Sequence, residues 1–309
     1  MRILFAGTAE IAIPSLKMIA DTYELVAILT SPDAPQGRGL VLTPSPVALT
    51  AASYCPHVPV LKPQRLNQEV REQIRAYKPD VLVVYAYGKI FGPKFLSLFS
   101  GSINVHPSLL PRWRGPAPIP FSILNRDAQT GISIQRIAQQ VDSGDIFAQV
   151  VWNMQFNETT AELTERAAVE GSQLLSDVLA KLSSGNAHAQ PQDERNATYS
   201  RLITKQDGIV DWNQPAETIH AIIRAYNPWP LARTTIDGKV LYIHNAVLDE
   251  AHHGASPGTI VSIDKNRGIM VQTGTGVLCL TSVQWSGKSL LPIKDFINGA
   301  RFTSGSYFV

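Results

Sequence analysis

The sequence predicts an α/β protein in which a doubly wound, mainly parallel sheet of the Rossmann-like type precedes a smaller OB-like β-barrel. Three observations lead to this fold class. Between residues 3 and 182, short apolar runs alternate with helical segments, which is the pattern of a parallel sheet built from strand–helix–strand units. Residues 183–204 are mostly small and polar, as in a linker. After them, short strand-like runs separated by turn residues are typical of a small barrel.

The composition is that of a globular protein from a reducing compartment. The 309 residues are 44% hydrophobic and 17% charged, and the chain is long enough for two domains. Its two cysteines, Cys55 and Cys279, cannot form a disulfide framework. No apolar run approaches the ~20 residues that cross a bilayer, and the first run is too short for a signal peptide. We therefore predict a cytoplasmic protein without a membrane segment, whose net charge of +2 neither indicates nor excludes nucleic acid.

The elements of the first domain differ in their sequence signals. Residues 80–87 (DVLVVYAY) are almost continuously apolar, as expected of a strand buried on both faces. Residues 131–137 alternate and predict a strand, whereas the amphipathic pattern of 160–182 predicts a long helix. Residues 31–46 contain too many prolines and glycines for a helix or a central strand. The predicted strands are 3–6, 23–30, 58–61, 80–87, 102–106, 131–137 and 147–154, and the predicted helices are 11–18, 67–77, 119–124 and 160–182.

The second domain is predicted from short strands between turn residues. One helix is predicted at 217–225. The predicted strands are 208–212, 233–236, 240–247, 258–263, 268–272 and 277–283. We expect the first domain to span residues 1–188, the linker 189–206 and the barrel 207–309.

Polar side chains follow two strands at the point where each strand ends. Asn104 and His106 are two residues apart on a predicted strand, so both side chains lie on one face. Asp142 follows another strand, and polar groups after strand ends meet in the crevice where open α/β sheets bind ligands. An amide beside an imidazole can stabilise an oxyanion and move a proton. The alternative is that all three are ordinary turn and cap residues.

The loop after His106 is stiffened by prolines up to Pro118. Its segment Arg112-Trp113-Arg114 suits either an anionic or aromatic ligand or a rigid crossover anchored by the tryptophan. The turn at Gly7-Thr8 lacks the glycine pattern of a dinucleotide site. No cysteine and histidine spacing fits a metal site, the pair His252-His253 included, so we predict no metal.

Several motifs together resemble one known family. They are Asn104-Val-His-Pro-Ser-Leu-Leu-Pro111 with Asp142, the opening Ile3-Leu-Phe-Ala-Gly-Thr8, the stretches 32–39 and 44–46, Pro111-Arg-Trp-Arg-Gly115, and Arg224-Ala-Tyr-Asn-Pro-Trp-Pro230. On these motifs the chain resembles the folate-dependent formyltransferases almost from end to end. The stretch 224–230 and the second domain are similar to the members that formylate the methionine carried on initiator tRNA.

The resemblance implies a reaction and residue roles. The formyl group of 10-formyltetrahydrofolate would pass to the amino group of initiator methionyl-tRNA, leaving tetrahydrofolate. By the family's pattern Asn104 and His106 donate to the oxyanion, and Asp142 accepts a proton from the amine. The same pattern implies a folate site lined by Ser108, Leu109, Leu110 and Pro111, with Tyr85, Ala86, Tyr87 and Gly88 of a strand end as its neighbours.

For tRNA, the basic residues Arg38, Lys205 and Arg224 are the expected contacts. Family members commonly carry lysines where Leu40 and Val41 follow Gly39 in this chain, so the loop 31–46 is less basic than its counterparts. We expect the chain to act as a monomer. Two alternatives stay open: a formyltransferase for a small amine such as an amino sugar nucleotide or glycinamide ribonucleotide, and a binding protein without catalysis.

Overall fold

The first unit is built around a seven-stranded sheet with the strand order β5-β2-β1-β6-β7-β8-β9. A computed structural model describes residues 1–37, 39–249, 254–300 and 302–309 and divides the chain into two units. The first unit contains residues 1–118, 129–153 and 164–201. Its strands are β1 (Arg2–Gly7), β2 (Glu24–Leu29), β3 (Ala34–Gln36), β4 (Val41–Thr43), β5 (Val60–Leu61), β6 (Val81–Tyr85), β7 (Gly101–His106), β8 (Gln129–Arg136) and β9 (Ile146–Asn153).

Strands β5, β2, β1, β6 and β7 are parallel, whereas β8 pairs antiparallel with β7 and β9 pairs antiparallel with β8. The mainly parallel, doubly wound sheet predicted from the sequence is thereby confirmed. From β1 the chain adds strands β2 and β5 on one side and strands β6 to β9 on the other, so the strand order reverses next to β1. In such sheets ligands bind at the carboxyl ends of the strands near that reversal. The helices of this unit are α1 (Ile13–Thr22), α2 (Pro46–Tyr54), α3 (Gln68–Ala76), α4 (Pro93–Leu96) and most of α6 (Thr160–Ser183), whereas nearly all of α5 (Pro118–Leu124) is assigned to the second unit.

The core of this sheet matches the apolar signal of the sequence. Every residue of β6 is buried, as the continuous apolar run predicts. Leu4, Leu29 and Leu82 pack with Phe95 in one buried cluster. Apolar burial of this kind contributes about 25 cal/mol per Å², so β6 holds the middle of the sheet in place.

The proline-rich stretch 31–46 contains a two-stranded hairpin of β3 and β4 outside the main sheet, which agrees with its exclusion from a helix or central strand. Helix α2 begins at its end and was not predicted. The Ser45 hydroxyl accepts a hydrogen bond from the backbone N–H of Ala48, and Pro46 occupies the first turn. Ser-Pro is a common helix start, and this local signal is outweighed in the sequence by the breakers before it.

The second unit contains residues 119–128, 154–163 and 202–309. Its strands form one antiparallel sheet in the order β10-β11-β14-β13-β12. The strands are β10 (Ala232–Ile236), β11 (Lys239–Asp249), β12 (Ile260–Asp264), β13 (Gly268–Gln272) and β14 (Val277–Trp285), and the helices are α7 (Ala216–Ala225) and α8 (Ile293–Gly299).

The C-terminal residues join the two edges of this sheet. The backbones of Val309 and Thr235 exchange two hydrogen bonds at β10, and Phe308 donates to Gly258, just before β12. Because one segment pairs with both edges, the sheet closes as expected for a small barrel. The strand predicted at 208–212 was wrong: a short 3₁₀ helix, Lys205–Gly208, precedes a single bridge from Ile209. Its apolar residues Val210 and Trp212 are buried in the unit's core without forming a strand.

Gly131 of β8 is expected to tolerate no side chain. A Cβ atom there would lie 1.9 Å from the carbonyl oxygen of Val150 and 2.7 Å from Leu109 Cδ2. Gly131→Ala is therefore expected to lower the free energy of unfolding by about 2–3 kcal/mol, as overpacking does. Urea unfolding measures the change. Gly101→Ala on β7 is the matched control, because its Cβ would meet only Val81 at 3.9 Å. Equal midpoints for the two variants would contradict the prediction.

His220 on α7 is expected to make the protein less stable at acid pH. Burial, and then the charge of Arg224, lower the pKa of His220 to about 4. Between that value and its ordinary pKa, the unfolded chain binds a proton that the folded chain does not, so the free energy of unfolding falls as pH falls from about 6.5 to 4. For this partly exposed ring we expect a loss of about 1 kcal/mol between pH 7 and 5. His220→Gln should show a smaller loss in urea titrations at both pH values, and an unchanged difference would contradict the assignment.

Candidate active site

Two of the predicted side chains lie at the carboxyl end of β7. Asn104 pairs across the sheet with Gln135 of β8, and His106 pairs with Ser133. Both residues contact the third predicted residue, Asp142, which follows β8 in a loop. The two-residue spacing on a strand and the position of Asp142 after a strand therefore bring all three together.

The Asp142 carboxylate is fixed by donors on both oxygens. The backbone N–H of Gly115 donates to Oδ2 at 2.8 Å, and the Gln135 amide donates to Oδ1 at 2.8 Å. The Asn104 amide donates to Oδ1 at 3.3 Å. Asp142 has a φ of 52°, a left-handed conformation that aspartate tolerates better than most residues. The carboxylate is thus held by the chain around it.

The His106 ring lies between this carboxylate and a backbone carbonyl. Its Nδ1 is 3.5 Å from Asp142 Oδ2, and its Nε2 is 2.9 Å from the carbonyl oxygen of Trp113. A carbonyl only accepts, so this contact assigns a hydrogen to Nε2. The ring is 4% exposed. The histidine is therefore oriented by two oxygens and shielded from bulk water.

The loop from Pro107 to Pro118 is held by hydrogen bonds rather than by proline stiffness alone. The Ser108 hydroxyl donates to the carbonyl of Arg112 at 2.6 Å. Leu110, which precedes a cis proline, donates through its N–H to the Ser133 hydroxyl and accepts from Gln149. The loop thereby carries the Trp113 carbonyl and the Gly115 N–H to the site.

Arg114 anchors this loop from behind. Its side chain is fully buried, and its guanidinium contacts Gln192 and Glu194. Hydrogen bonding to Glu194 raises the pKa of Arg114, and the same pair lowers the pKa of Glu194. Of the two interpretations of Arg112-Trp113-Arg114, the crossover anchor describes Arg114, because its charge is directed into the protein.

A cavity of about 130 Å³ opens beside Asn104 and Asp142. Most of its wall is apolar and comes from the residues after β6 and β8. The lining residues are Val84, Lys89, Ile90, Phe91, Gln135, Arg136, Ile137, Ala138, Gln139 and Val141, with Asn104 and Asp142. Residues 89–91 and 138–141 carry no motif that marks them as functional in the sequence. Their only signal is that they continue two predicted strands into loops at the ligand-binding edge.

The residues predicted to line a folate site are close in sequence to residues that line this cavity, but they are not among its lining residues. Ser108 and Leu110 are buried inside their loop, Leu109 contacts Gly131, and cis Pro111 follows. Tyr85 and Tyr87 are also buried; the Tyr85 hydroxyl donates to the carbonyl of Ala167, and burial raises the pKa of Tyr87 to about 12. Ala86 and Gly88 are exposed at the end of β6 and adopt positive φ angles. The contribution of these eight residues to ligand binding stays a prediction.

The three residues predicted to contact tRNA differ in their surroundings. Arg38 lies outside the residues that the structure describes. Lys205 is exposed at the start of a 3₁₀ helix. Arg224 is 4% exposed, donates to the carbonyl of Glu158 at 3.0 Å, and has its pKa lowered by burial. This burial argues against a surface contact through Arg224, whose guanidinium packs inside the second unit. The sequence alone does not predict this burial of Arg224, which lies among the buried apolar residues of α7.

Two absences can be stated for the described part of the chain. Within it, no group of three or more histidine, cysteine, aspartate or glutamate side chains is arranged to hold a metal ion. The pair His252-His253 falls outside it. Among the same residues, no helix combines the length and apolarity needed to cross a bilayer.

Comparison with known proteins places this site in a family. The formyl transferase family model matches residues 1–179, and the formyl transferase C-terminal domain model matches residues 202–301. A curated methionyl-tRNA formyltransferase from Treponema denticola is 42% identical over 312 residues, covering 97% of this chain and 97% of that protein. Its counterpart from Coxiella burnetii is 40% identical and covers 96% of this chain and 95% of its own.

Solved structures share the fold at lower identity. The sugar 3N-formyl transferase WlaRD has a TM-score of 0.67 at 18% identity and covers 94% of this chain and 99% of its own. Methionyl-tRNA formyltransferase from Clostridium thermocellum has a TM-score of 0.57 at 17% identity, with 82% and 95% covered. With two family models matching most of its length and full-length relatives near 40% identity, the chain belongs to the formyl transferase family.

Proposed function

We propose that this chain transfers the formyl group of 10-formyltetrahydrofolate to the amino group of the methionine on initiator methionyl-tRNA. The products are N-formylmethionyl-tRNA, which serves translation initiation, and tetrahydrofolate. One observation carries the proposal: Asn104, His106 and Asp142 converge beside an apolar cavity in a formyl transferase domain. The names of the full-length relatives support this acceptor.

The reaction has three requirements that these side chains can meet: stabilisation of an oxyanion, removal of a proton from the amine, and protonation of the leaving nitrogen. As the amine attacks the formyl carbon, negative charge develops on the formyl oxygen and must be met by fixed donors. The Asn104 amide has two N–H bonds, of which one contacts Asp142, so the second can face this oxygen. The imidazolium form of His106, with a hydrogen on both ring nitrogens, can donate from Nδ1 as well, because the 3.5 Å approach of Nδ1 to Asp142 is longer than a normal hydrogen bond.

We assign the proton transfer to Asp142. The attacking nitrogen becomes positively charged when its bond to the formyl carbon forms, and the carboxylate can take its proton directly or through a water molecule. When the tetrahedral intermediate collapses, the carbon–nitrogen bond to the folate breaks, and the proton that Asp142 accepted from the amine passes to this nitrogen. The donors from Gly115 and Gln135 keep the carboxylate in position throughout.

The apolar cavity suits the folate end of the formyl donor. Ile90 and Val141 are largely exposed, although apolar side chains of this size are usually buried, and Phe91 offers an aromatic wall. A flat ring that covers these side chains would remove them from water. The cavity is small, so we place only the ring of the donor within it.

The similarity to a solved structure favours a second kind of acceptor, the amino group of an amino sugar. The fold of this chain has a higher TM-score with the sugar 3N-formyl transferase than with the methionyl-tRNA formyltransferase from Clostridium thermocellum. At 18% identity, however, this likeness shows the shared fold, whereas the relatives near 40% identity are named for methionyl-tRNA. Binding of tRNA that weakens steeply with salt would separate the two, since phosphate contacts release counterions.

The proposal includes the setting of the enzyme. We infer that it works in the cytoplasm, where its proposed product serves translation initiation, and that it works there as a monomer. Sedimentation at working concentration measures the oligomeric state.

Formylation of methionyl-tRNA is expected to depend on all three converging side chains. Asn104→Ala removes an oxyanion donor and should lower kcat about 10²–10³-fold. His106→Ala removes the other oxyanion donor and should cause a comparable loss, whereas Asp142→Asn removes the proton acceptor and should lower kcat about 10²–10⁴-fold. Circular dichroism checks the fold of each variant. His57→Ala, a change at an exposed histidine, is the control and should keep full activity. Full formylation by folded His106→Ala would end the proposed mechanism.

The exposed Lys205 is expected to strengthen tRNA binding without taking part in the chemistry. Lys205→Ala should raise KM for methionyl-tRNA several-fold with kcat unchanged, because a lost phosphate contact weakens binding and reduces its salt dependence by about one unit of slope. Arg38→Ala tests the first-domain loop by the same measurement. Lys181→Ala, at an exposed lysine near the end of α6, serves as the control. An unchanged KM and salt slope in Lys205→Ala and Arg38→Ala would remove both residues from the interface.

A further inference from the structure

The stretch whose composition suggests a linker is hydrogen bonded to the active-site loops. The backbones of Gln190 and Ile146 exchange two hydrogen bonds at 2.8 and 2.9 Å, at the start of β9. Further on, Thr198 donates through its N–H to the carbonyl of Pro111 and receives hydrogen bonds from the N–H groups of Trp113 and Arg114. This stretch lies between the two regions that the family models match, 1–179 and 202–301.

Gln192 in this stretch reaches the backbone of Asp142 itself. Its amide nitrogen donates to the carbonyl oxygen of Asp142 at 2.9 Å and to that of Gly144 at 2.7 Å. Its amide oxygen accepts from Nε and Nη2 of Arg114 at 3.1 and 2.8 Å. Carbonyls only accept and a guanidinium only donates, so these four partners allow one orientation of the amide.

The contact matters because of the backbone at Asp142. Its left-handed φ of 52° is less favourable than the right-handed conformation, so the surrounding structure must stabilise it. The loop leaves β8 and returns at Asp145, whose carbonyl accepts from the N–H of Arg136. Within the loop, the amide of Gln192 donates hydrogen bonds to two carbonyl groups, those of Asp142 and Gly144. Without these donors, both carbonyls lose their partner and the loop can relax.

We propose that Gln192 is a positioning residue for the reaction and holds the Asp142 carboxylate where it accepts the proton of the amine. This inference rests on the proposed function, since Asp142 must be the proton acceptor for its position to matter. Arg114 completes the arrangement by fixing the amide of Gln192 from the other side. Gln192 therefore links the stretch between the two matched regions to the active site of the first unit, through contacts that its composition does not reveal.

The sharpest test is Gln192→Glu, which keeps size and shape. A carboxylate at this position still accepts from Arg114, with added charge attraction, but has no hydrogen to donate to the carbonyls of Asp142 and Gly144. If Gln192 positions Asp142, kcat for methionyl-tRNA formylation should fall about 10- to 100-fold, as misplacement by about 1 Å does, while KM for 10-formyltetrahydrofolate changes little. A role limited to anchoring Arg114 predicts unchanged kcat.

Gln190→Glu is the matched control. It makes the same substitution two residues earlier, at an exposed side chain, and should leave kcat and KM unchanged. Thermal unfolding of both variants checks that the fold is retained. Should Gln192→Glu fail to fold, Gln192→Met removes the donor without adding a charge, and the same kinetic measurements apply to it.

A double-mutant cycle with Asp142→Asn separates positioning from general damage. If Gln192 acts through Asp142, its substitution should cost little in the Asp142→Asn background, because the group that it positions is already gone. Costs that multiply, or a wild-type kcat in Gln192→Glu, would overturn the inference. Full activity of Asp142→Asn alone would overturn the proposed mechanism and the inference with it. An inactive Asp142→Asn beside a fully active Gln192→Glu would overturn only the inference.

Discussion

The Asp142 carboxylate accepts hydrogen bonds from Gly115, Gln135 and Asn104, which come from separate parts of the chain. A carboxylate with 13% of its side chain exposed has lost most of its water, and the loss is costly unless other donors replace that water. The three donors do so and also fix its direction. They leave the carboxylate beside His106, within reach of a substrate at the mouth of the cavity. The geometry of the site depends on this replacement of water by fixed donors.

Much of the fold follows from the period of apolar residues. The run that becomes β6 is continuous because both faces of a central parallel strand are covered. The spacing of Asn104 and His106 fixes them to one face of β7, and the rule that ligands meet at strand ends brings Asp142 to the same edge. These predictions needed only local pattern and topology. The specific family was recognised from motifs, which carry information that periodicity lacks.

The remaining features depend on contacts between distant residues. No local signal shows that Gln135 pairs with Asn104, because strand register is set by the whole sheet. The wall at residues 137–141 depends on a loop whose shape is fixed by Asp142 in a left-handed conformation. Arg224 carries a charge that composition alone would place at the surface, yet its side chain is buried and its guanidinium donates to the carbonyl of Glu158. The strand expected at 208–212 failed for a similar reason, since burial of Trp212 in the core does not require a sheet partner.

Composition predicts structure poorly for a segment that is held in place by hydrogen bonds of its backbone. Residues 189–206 look like a linker because small and polar residues seldom form a core. Hydrogen bonds do not require apolar side chains, and this segment supplies them to Pro111, Trp113 and Arg114. Arg114 is fully buried and pairs with Glu194, so the ion pair gives the loop a fixed anchor. Loss of Glu194 would take a partner from a buried guanidinium, which makes the anchor hard to replace. The active-site loop is thus held from two sides, by strand β8 in front and by a polar segment behind.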